Sequence, residues 1–358
     1  MPRGISTRGD ILATTIDGVS LDDIWQEYID TLSIWNSSRS PIANLFTQST
    51  IKSGDAVSQA AEGDDFEEAS EFGVPQSHRA SVEPLVLGYP LKWYDAATRY
   101  TEGFLRDATA EEVRAQHAAA LEADNRLVFK KVMQALFTKT TIATRPVNSE
   151  GATIYGLWDG ETDSTPPAYA GKTFASGHNH YLVSGAATVD GGDLRDLTNT
   201  ITEHGYGIGQ GEHVVILMNP AEGEVVRSFR VADGAPFDFI PSASAPAYLT
   251  TENIVGERPP AQLGNLPVFG AFGRALLIED YHVPVGYLAA TATDTKPLAF
   301  REHTRAEYRG LRTIPGGDSR RPIIDSRYSR GFGVGVQHRG AAAVMKIAAS
   351  GSYTPPSL

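Results

Sequence analysis

Between residues 52 and 104 the chain runs for about fifty residues with too few large apolar side chains to bury a core of its own. The stretch opens on Gly, Ser, Asp and Glu. From Glu62 to Glu71 six of ten residues are acidic: Glu62, Asp64, Asp65, Glu67, Glu68 and Glu71. It then turns extended, Val82-Glu-Pro-Leu-Val-Leu-Gly-Tyr-Pro-Leu-Lys-Trp-Tyr-Asp95. Pro84 and Pro90 suit an edge strand or an arm, because proline cannot donate to a central ladder. Extended, each half of such a hairpin reaches several tens of ångströms at roughly 3.3 Å per residue. A segment of this kind protrudes and needs a partner to cover it.

A rod follows the protrusion. Thr109-Ala-Glu-Glu112 is a capping box, with Thr109 as N-cap and Glu112 at N3. No Gly or Pro interrupts the sequence from there to Phe137, which predicts a helix of 28 residues, roughly 42 Å long. Val128, Val132, Ala135 and Leu136 mark its buried stripe. Asp124, Asn125 and Arg126 interrupt that stripe, so its middle is expected to meet polar partners or water. Upstream, Ser20 caps a second helix whose apolar face is Ile24, Trp25, Tyr28, Ile29 and Leu32, ending before Pro41.

Downstream the pattern becomes mixed. Residues 147–177 are rich in Gly, Pro, Ser and Thr and read as loop. Asp190-Gly-Gly-Asp193 opens a helix carrying Leu194, Leu197 and Ile201, with Gly205 as its stop. Val214–Met218 is a short buried strand, and Asn219-Pro220-Ala-Glu222 starts another helix with Asn as N-cap and Pro at N1. Residues 235–267 read as loop. Ala275–Tyr281 and Val285–Ala290 read as strands, and Phe332–Ile347 as a strand pair or one bent strand. No internal repeat is present.

Composition narrows the classes. Runs of aliphatic residues reach only five, as at Val214–Met218, far short of the ~20 that a membrane-spanning helix needs. The basic N-terminus has no apolar stretch behind it, so no secretory signal is expected. With no cysteine, disulfides, thiolate metal sites and cysteine nucleophiles are excluded. The net charge of −12 disfavours a broad phosphate-neutralising face for duplex DNA. Yet Lys296–Lys346 holds eleven basic residues against four acidic ones, among them Arg301, Arg309, Arg312, Arg320 and Arg321. Either the acidic and basic stretches are separate solvated faces, or they meet between copies of the chain and set register.

Chemistry-bearing motifs are sparse. His178-Asn-His180 puts two imidazoles on one face of an extended segment, but a metal needs a third ligand and no neighbour in sequence supplies one. Gly205-Tyr-Gly-Ile-Gly-Gln-Gly211 lacks phosphate-loop spacing and follows a helix where a dinucleotide fingerprint would precede one. Neither Gly-x-Ser-x-Gly nor His-Glu-x-x-His occurs. Asp190 with Asp193 reads as capping. Glu302 with His303 reads as surface. No catalytic residue, cofactor site or metal site is assigned.

The order of arm, protrusion, long helix, α/β region and late returning strand resembles the major capsid proteins of tailed bacteriophages, the Hong Kong 97-type fold shared with encapsulin shells. The carrying residues are several. Gly88-Tyr-Pro-Leu-Lys-Trp-Tyr-Asp-Ala-Ala-Thr-Arg-Tyr-Thr101, Thr109-Ala-Glu-Glu-Val113 and Leu121-Glu-Ala-Asp-Asn-Arg126 resemble the extended loop's return strand and the spine helix in phages of actinobacteria. His178-Asn-His-Tyr-Leu-Val183, Glu203-His-Gly-Tyr-Gly207 and Leu217-Met-Asn-Pro220 are similar to the axial domain. Arg301-Glu-His303, Arg309-Gly-Leu-Arg312, Ile324-Asp-Ser326 and Gly331-Phe-Gly-Val-Gly-Val-Gln-His-Arg-Gly340 resemble the closing segment.

The resemblance implies an α+β fold. Its parts would be an N-terminal arm (1–51), an extended β-hairpin loop (52–104), a peripheral domain with the spine helix (105–150, with return strands at 318–345), an α/β axial domain (151–317) and a tail (346–358). It implies a structural protein without cofactor, assembling with itself as hexamers and pentamers into the icosahedral shell of a virion, in the host cytoplasm, around double-stranded DNA bound without sequence specificity. Portal, scaffold and decoration proteins would be its partners, and no membrane. With only about fifty residues before the loop, the scaffold is expected to be a separate protein. The six acidic loop residues would meet the basic stretch of a neighbouring subunit, making Arg301, Arg309, Arg312, Arg320 and Arg321 interface candidates. Two other readings compete: an encapsulin-type compartment, distinguished by protein cargo and no DNA, and a metal-dependent hydrolase using His178 and His180, distinguished by bound zinc in a monomer.

Overall fold

The computed structural model describes residues 12–37, 40–57, 85–244, 258–317 and 322–358. In chain order they form α1 (Leu21–Ser37), α2 (Pro41–Phe46), β1 (Thr47–Thr50), β2 (Gly54–Val57), β3 (Leu85–Gly88), β4 (Lys92–Arg99), α3 (Glu102–Asp107) and α4 (Ala110–Phe137). There follow β5 (Tyr181–Val183), α5 (Gly191–Thr202), β6 (Val214–Met218), α6 (Pro220–Val226), β7 (Phe239–Pro241), β8 (Gln262–Leu263), β9 (Leu266–Pro267) and β10 (Gly270–Phe272). The chain closes through β11 (Ala275–Glu279), β12 (Tyr287–Ala292), β13 (Leu298–Glu302), β14 (Leu311–Ile314), β15 (Asp325–Val336) and β16 (Ala342–Lys346). Two compact units result. One takes residues 1–40, 91–129 and 302–333; the other takes 41–90, 130–301 and 334–358.

In the first unit α4 begins as the sequence predicts. The Thr109 hydroxyl accepts from the Glu112 amide at 3.3 Å, and the Glu112 carboxylate accepts from the Thr109 amide at 2.8 Å. The Asp17 carboxylate accepts from the Ala110 amide at 3.1 Å, placing a negative charge where the helix dipole favours one. Apolar residues of α1 pack with this end of α4: Leu21, Ile24 and Tyr28 join Leu105, Val113 and Ile323 in one buried cluster. A second cluster gathers Leu32, Leu121, Leu311 and Tyr328. β15 pairs antiparallel with β4, Asp325 opposite Arg99 through Phe332 opposite Lys92, and with β14, Leu311 opposite Arg330. Gly331 is needed in that ladder, since a Cβ there would stand 2.7 Å from the Trp93 ring.

His117 of α4 is stacked on Tyr28 at 4.0 Å and hydrogen-bonded through Nδ1 to the Tyr328 hydroxyl at 2.6 Å. Burial drives its pKa down to about 4. The unfolded ring takes its proton near 6.5, so the unfolded chain binds more protons between about pH 6.5 and 4. The stabilisation from a neutral His117 is therefore complete above pH 6.5 and lost as the pH falls through 4, up to roughly 3 kcal/mol in all. We expect urea midpoints at pH 7 and 5 to differ less for His117→Gln than for the unaltered chain; equal differences would exclude this account.

The second unit is built on a seven-stranded mixed sheet in the order β5-β16-β12-β6-β11-β10-β7. β6 lies parallel to β11 and antiparallel to β12, and all five of its residues are buried, as expected of a strand covered on both faces. Leu194, Leu197 and Ile201 of α5 are fully buried in one cluster with Ile216, Met218, Leu277, Ala290 and Ala343. The predicted capping box is present, Asp190 and Asp193 exchanging backbone amide bonds at 3.0 and 2.9 Å. The segment 235–267, read as loop from its prolines and serines, contains the two- and three-residue strands β7, β8 and β9 instead. Strands that short leave no periodicity in a sequence.

Two further features of this unit bear on function. β2 and β3 pair antiparallel, Gly54 opposite Gly88 and Val57 opposite Leu85, closing the root of the segment whose middle lies outside the described residues. Gly88 packs so close to the 152–153 backbone that a Cβ would sit 2.5 Å from the Ala152 carbonyl oxygen. At the C-terminus, the Tyr353 hydroxyl donates to the Phe137 carbonyl at 2.9 Å, and Thr354 accepts from Tyr287 at 3.0 Å and from Lys346 at 2.9 Å. The tail is thereby tied down on the last turn of α4 and on β12 and β16.

Candidate functional site

The predicted contact residues divide. Glu62, Asp64, Asp65, Glu67, Glu68 and Glu71, with Arg320 and Arg321, lie outside the described residues. Arg301 is buried and committed within its own protomer: it grips Glu150 with both terminal nitrogens, at 2.8 and 3.0 Å, and donates to the Tyr89 carbonyl at 2.8 Å. The pairing with Arg301 holds the Glu150 carboxyl down at about 2. Arg309 donates to the carbonyls of His303 and Thr304 at 2.8 and 2.6 Å.

Arg312 belongs to a surface group the sequence did not disclose. Its guanidinium lies 4.8 Å over the Tyr308 ring and 5.7 Å over Trp93, while His303 meets Tyr308 edge-on at 5.0 Å. Trp93 is 45% exposed. The basic stretch alone reads as poor in aromatics because Trp93 comes from β4, more than two hundred residues earlier, and joins through the β4–β15 ladder. Trp, Tyr and Arg are the residues that carry most binding energy at protein contacts. In the second unit Tyr281 and Val285 stand exposed on the β11–β12 turn, at 83% and 65%.

Several of the positive charges that made 296–346 look like a basic surface are internal. Arg330 forms an ion pair with Asp124, which also accepts from the Trp35 indole at 3.0 Å. These are the polar partners expected at the middle of α4. Arg339 is wholly buried. It donates to the carbonyls of Gly156 at 3.0 Å and Leu157 at 3.2 Å and to the Ser164 hydroxyl at 2.7 Å, pairs with Asp159 at 3.1 Å, and lies 4.2 Å over the Trp158 ring. Arg145 joins Asp159 at 2.8 Å and also pairs with Asp163. Together they fix a loop that has almost no regular structure of its own.

The third ligand missing from the sequence is supplied by the fold. His178 and His180 precede β5, and His204 follows the C-cap of α5. The Nε2 atoms of the three rings converge: 2.9 Å from His178 to His204, 3.0 Å from His180 to His204, and 3.2 Å from His178 to His180. Burial holds His180 well below its ordinary range, with repulsion from His204 adding to it, and drives His204 down to about 3. Burial lowers His178 too, against the pull of Glu203. Phe174 stacks on His204 at 4.3 Å. Among the described residues this is the one grouping of three or more histidines or carboxylates arranged to hold a cation.

No family model and no curated protein matches the chain. Among solved structures it is similar to one from Mycobacterium phage Patience, at 36% identity over 99% of this chain and 96% of that one, with a TM-score of 0.71. A structure from Mycobacterium phage Adephagia is similar at 14% identity, covering 89% of this chain and 92% of that one, with a TM-score of 0.45. The holo-SrpI encapsulin complex from Synechococcus elongatus PCC 7942 is similar at 12% identity, covering 90% and 92%, with a TM-score of 0.47.

Proposed function

The chain belongs to the major capsid proteins of tailed bacteriophages, with the Hong Kong 97-type fold, and from that premise we propose how its parts build the shell. It is a structural protein of the virion that assembles with itself into the icosahedral shell around packaged double-stranded DNA. The observation that carries the assignment is 36% identity sustained over 99% of the chain at a TM-score of 0.71. The encapsulin likeness stands at 12% identity.

Residues 1–51 serve as the arm, 52–104 as the extended loop, 105–150 with 318–336 as the peripheral domain and 347–358 as the tail. The axial domain is 151–317 together with β16, which the return segment 318–345 expected from sequence loses because β16 pairs with β5 and β12 in the axial sheet. The pairing of β2 with β3 supports a loop that leaves and returns at one root. Its acidic residues Glu62, Asp64, Asp65, Glu67, Glu68 and Glu71 lie over a neighbouring subunit. They meet its Arg309, Arg312, Arg320 and Arg321, while the internal pairing of Arg301 with Glu150 supports removing that residue from the contact. The exposed Trp93 beside Tyr308 and Arg312 supports a packing anchor in the same contact. Tyr281 and Val285 take the corresponding place where axial domains gather around five-fold and six-fold axes. The protein performs no catalysis, holds DNA without sequence preference, and works with portal, scaffold and decoration proteins.

Electron microscopy of the purified chain tests the assignment: closed icosahedral particles are expected, and a monomer at high concentration would overturn it. Particles filled with a protein cargo would favour the compartment reading. For the loop, Glu67→Lys with Glu68→Lys sets like charges opposite the arginines and is expected to cut particle yield about tenfold, with the melting of the unassembled chain unchanged. Unchanged yield would remove the acidic residues from the contact.

A further inference from the structure

We propose that His178, His180 and His204 bind one divalent transition-metal ion, of the zinc class, through their three Nε2 atoms, as a structural tie within the second unit.

Proton counting carries the argument. The Nδ1 atom of His180 lies 2.6 Å from the Ala342 carbonyl oxygen, which can only accept, so Nδ1 carries the hydrogen and Nε2 of the neutral ring presents a bare lone pair. That lone pair points at the other two Nε2 atoms, which lie 2.9 Å from each other. An imidazole nitrogen either donates in the ring plane or accepts there; it does not do both. If only His178 or only His204 carries a hydrogen on Nε2, the other ring and His180 face each other lone pair to lone pair. If both carry one, their two N–H groups collide across the 2.9 Å edge. No assignment of neutral rings satisfies all three sides of the triangle. A single cation above its centre satisfies all three at once.

The dimensions agree. Ligand nitrogens about 2.0–2.1 Å from a tetrahedral zinc lie roughly 3.3 Å apart, against 2.9–3.2 Å here. Imidazole suits zinc and its neighbours in the first transition row and not calcium or magnesium, which take oxygen. The hydrogen bond from His180 to Ala342 is the outer partner that metal-bound histidines ordinarily have, fixing both ring orientation and tautomer. Glu203 is placed beside the triangle, its Oε1 atom 3.3 Å from His178 Nε2, as an anionic donor for the fourth position. Lys172 pairs with the other oxygen of that carboxylate.

The site joins three pieces of chain distant in sequence. His178 and His180 end the long loop fixed by Arg339, His204 ends α5, and Ala342 begins β16. A cation here cross-links the loop, the helix end and the sheet, a role a chain without cysteine cannot give to a disulfide. Nothing in this inference depends on assembly into a shell.

The test uses the full chain, stripped with chelator and titrated with Co²⁺. We expect saturation at about one ion per chain with the intense visible bands of tetrahedral coordination, and a higher thermal midpoint when Zn²⁺ is added. His178→Gln, at the partly exposed corner, and His204→Gln should each abolish the bands, Glu203→Gln should weaken binding, and His213→Gln, outside the cluster, should leave it unchanged. Should His204→Gln fail to fold, His178→Gln alone decides. Pale octahedral spectra, the absence of stoichiometric uptake, or bands that survive His178→Gln would each overturn the site. Particle yield, followed in parallel by electron microscopy, reports on the shell assignment separately.

Discussion

Arg339→Met is expected to destabilise the second unit by about 3–5 kcal/mol. The substitution keeps much of the side-chain volume and removes the donors and the positive charge. Left behind are the Gly156 and Leu157 carbonyls, which the guanidinium serves at 3.0 and 3.2 Å. Each buried acceptor without a donor costs roughly 1–3 kcal/mol. Asp159 keeps Arg145 at 2.8 Å but loses its other cation. Arg339→Lys retains the charge, yet a single ammonium cannot reach two carbonyls, a hydroxyl and a carboxylate in the geometry a planar fork allows, so an intermediate loss is expected. Urea unfolding of the unassembled chain measures it, and a variant within 1 kcal/mol of the parent would show that the loop 145–164 holds itself.

Asp124→Leu is expected to cost the first unit a comparable 3–5 kcal/mol. Here an anion is removed from a buried cation, and the Trp35 indole loses its acceptor in the same step. The double variant Asp124→Leu with Arg330→Met should recover most of the loss, because an apolar pair of similar volume carries no desolvation penalty. If the double variant were no more stable than the single one, packing rather than charge would be the origin.

These two predictions mark what the sequence shows and what it hides. Elements governed by near neighbours were legible. Thr109 and Glu112 announce α4, Asp190 and Asp193 announce α5, and Asn219 with Pro220 announces α6, since a cap and its partner stand within three residues of each other. The polar break at Asp124 was legible as a break, though not its partners, which are 89 and 206 residues away. Charge along 296–346 was read as a basic surface, but Arg301, Arg330 and Arg339 point inward, and a linear count of charges carries no information about burial. The histidine triangle was two-thirds visible. His178 and His180 share a strand-like face, whereas His204 enters only because α5 turns the chain back against β16. The sole signal was its place next to the helix stop at Gly205. Trp93 was hidden likewise, reaching Arg312 through strand pairing that periodicity cannot register.

The anchored tail has a practical consequence. Because Tyr353 and Thr354 are held by Phe137, Tyr287 and Lys346, a fluorophore or affinity peptide fused after Leu358 departs from a fixed point and can be short. Trimming the chain before Tyr353 would instead strip a hydrogen bond from the last turn of α4, so reporters belong beyond the tyrosine and deletions do not.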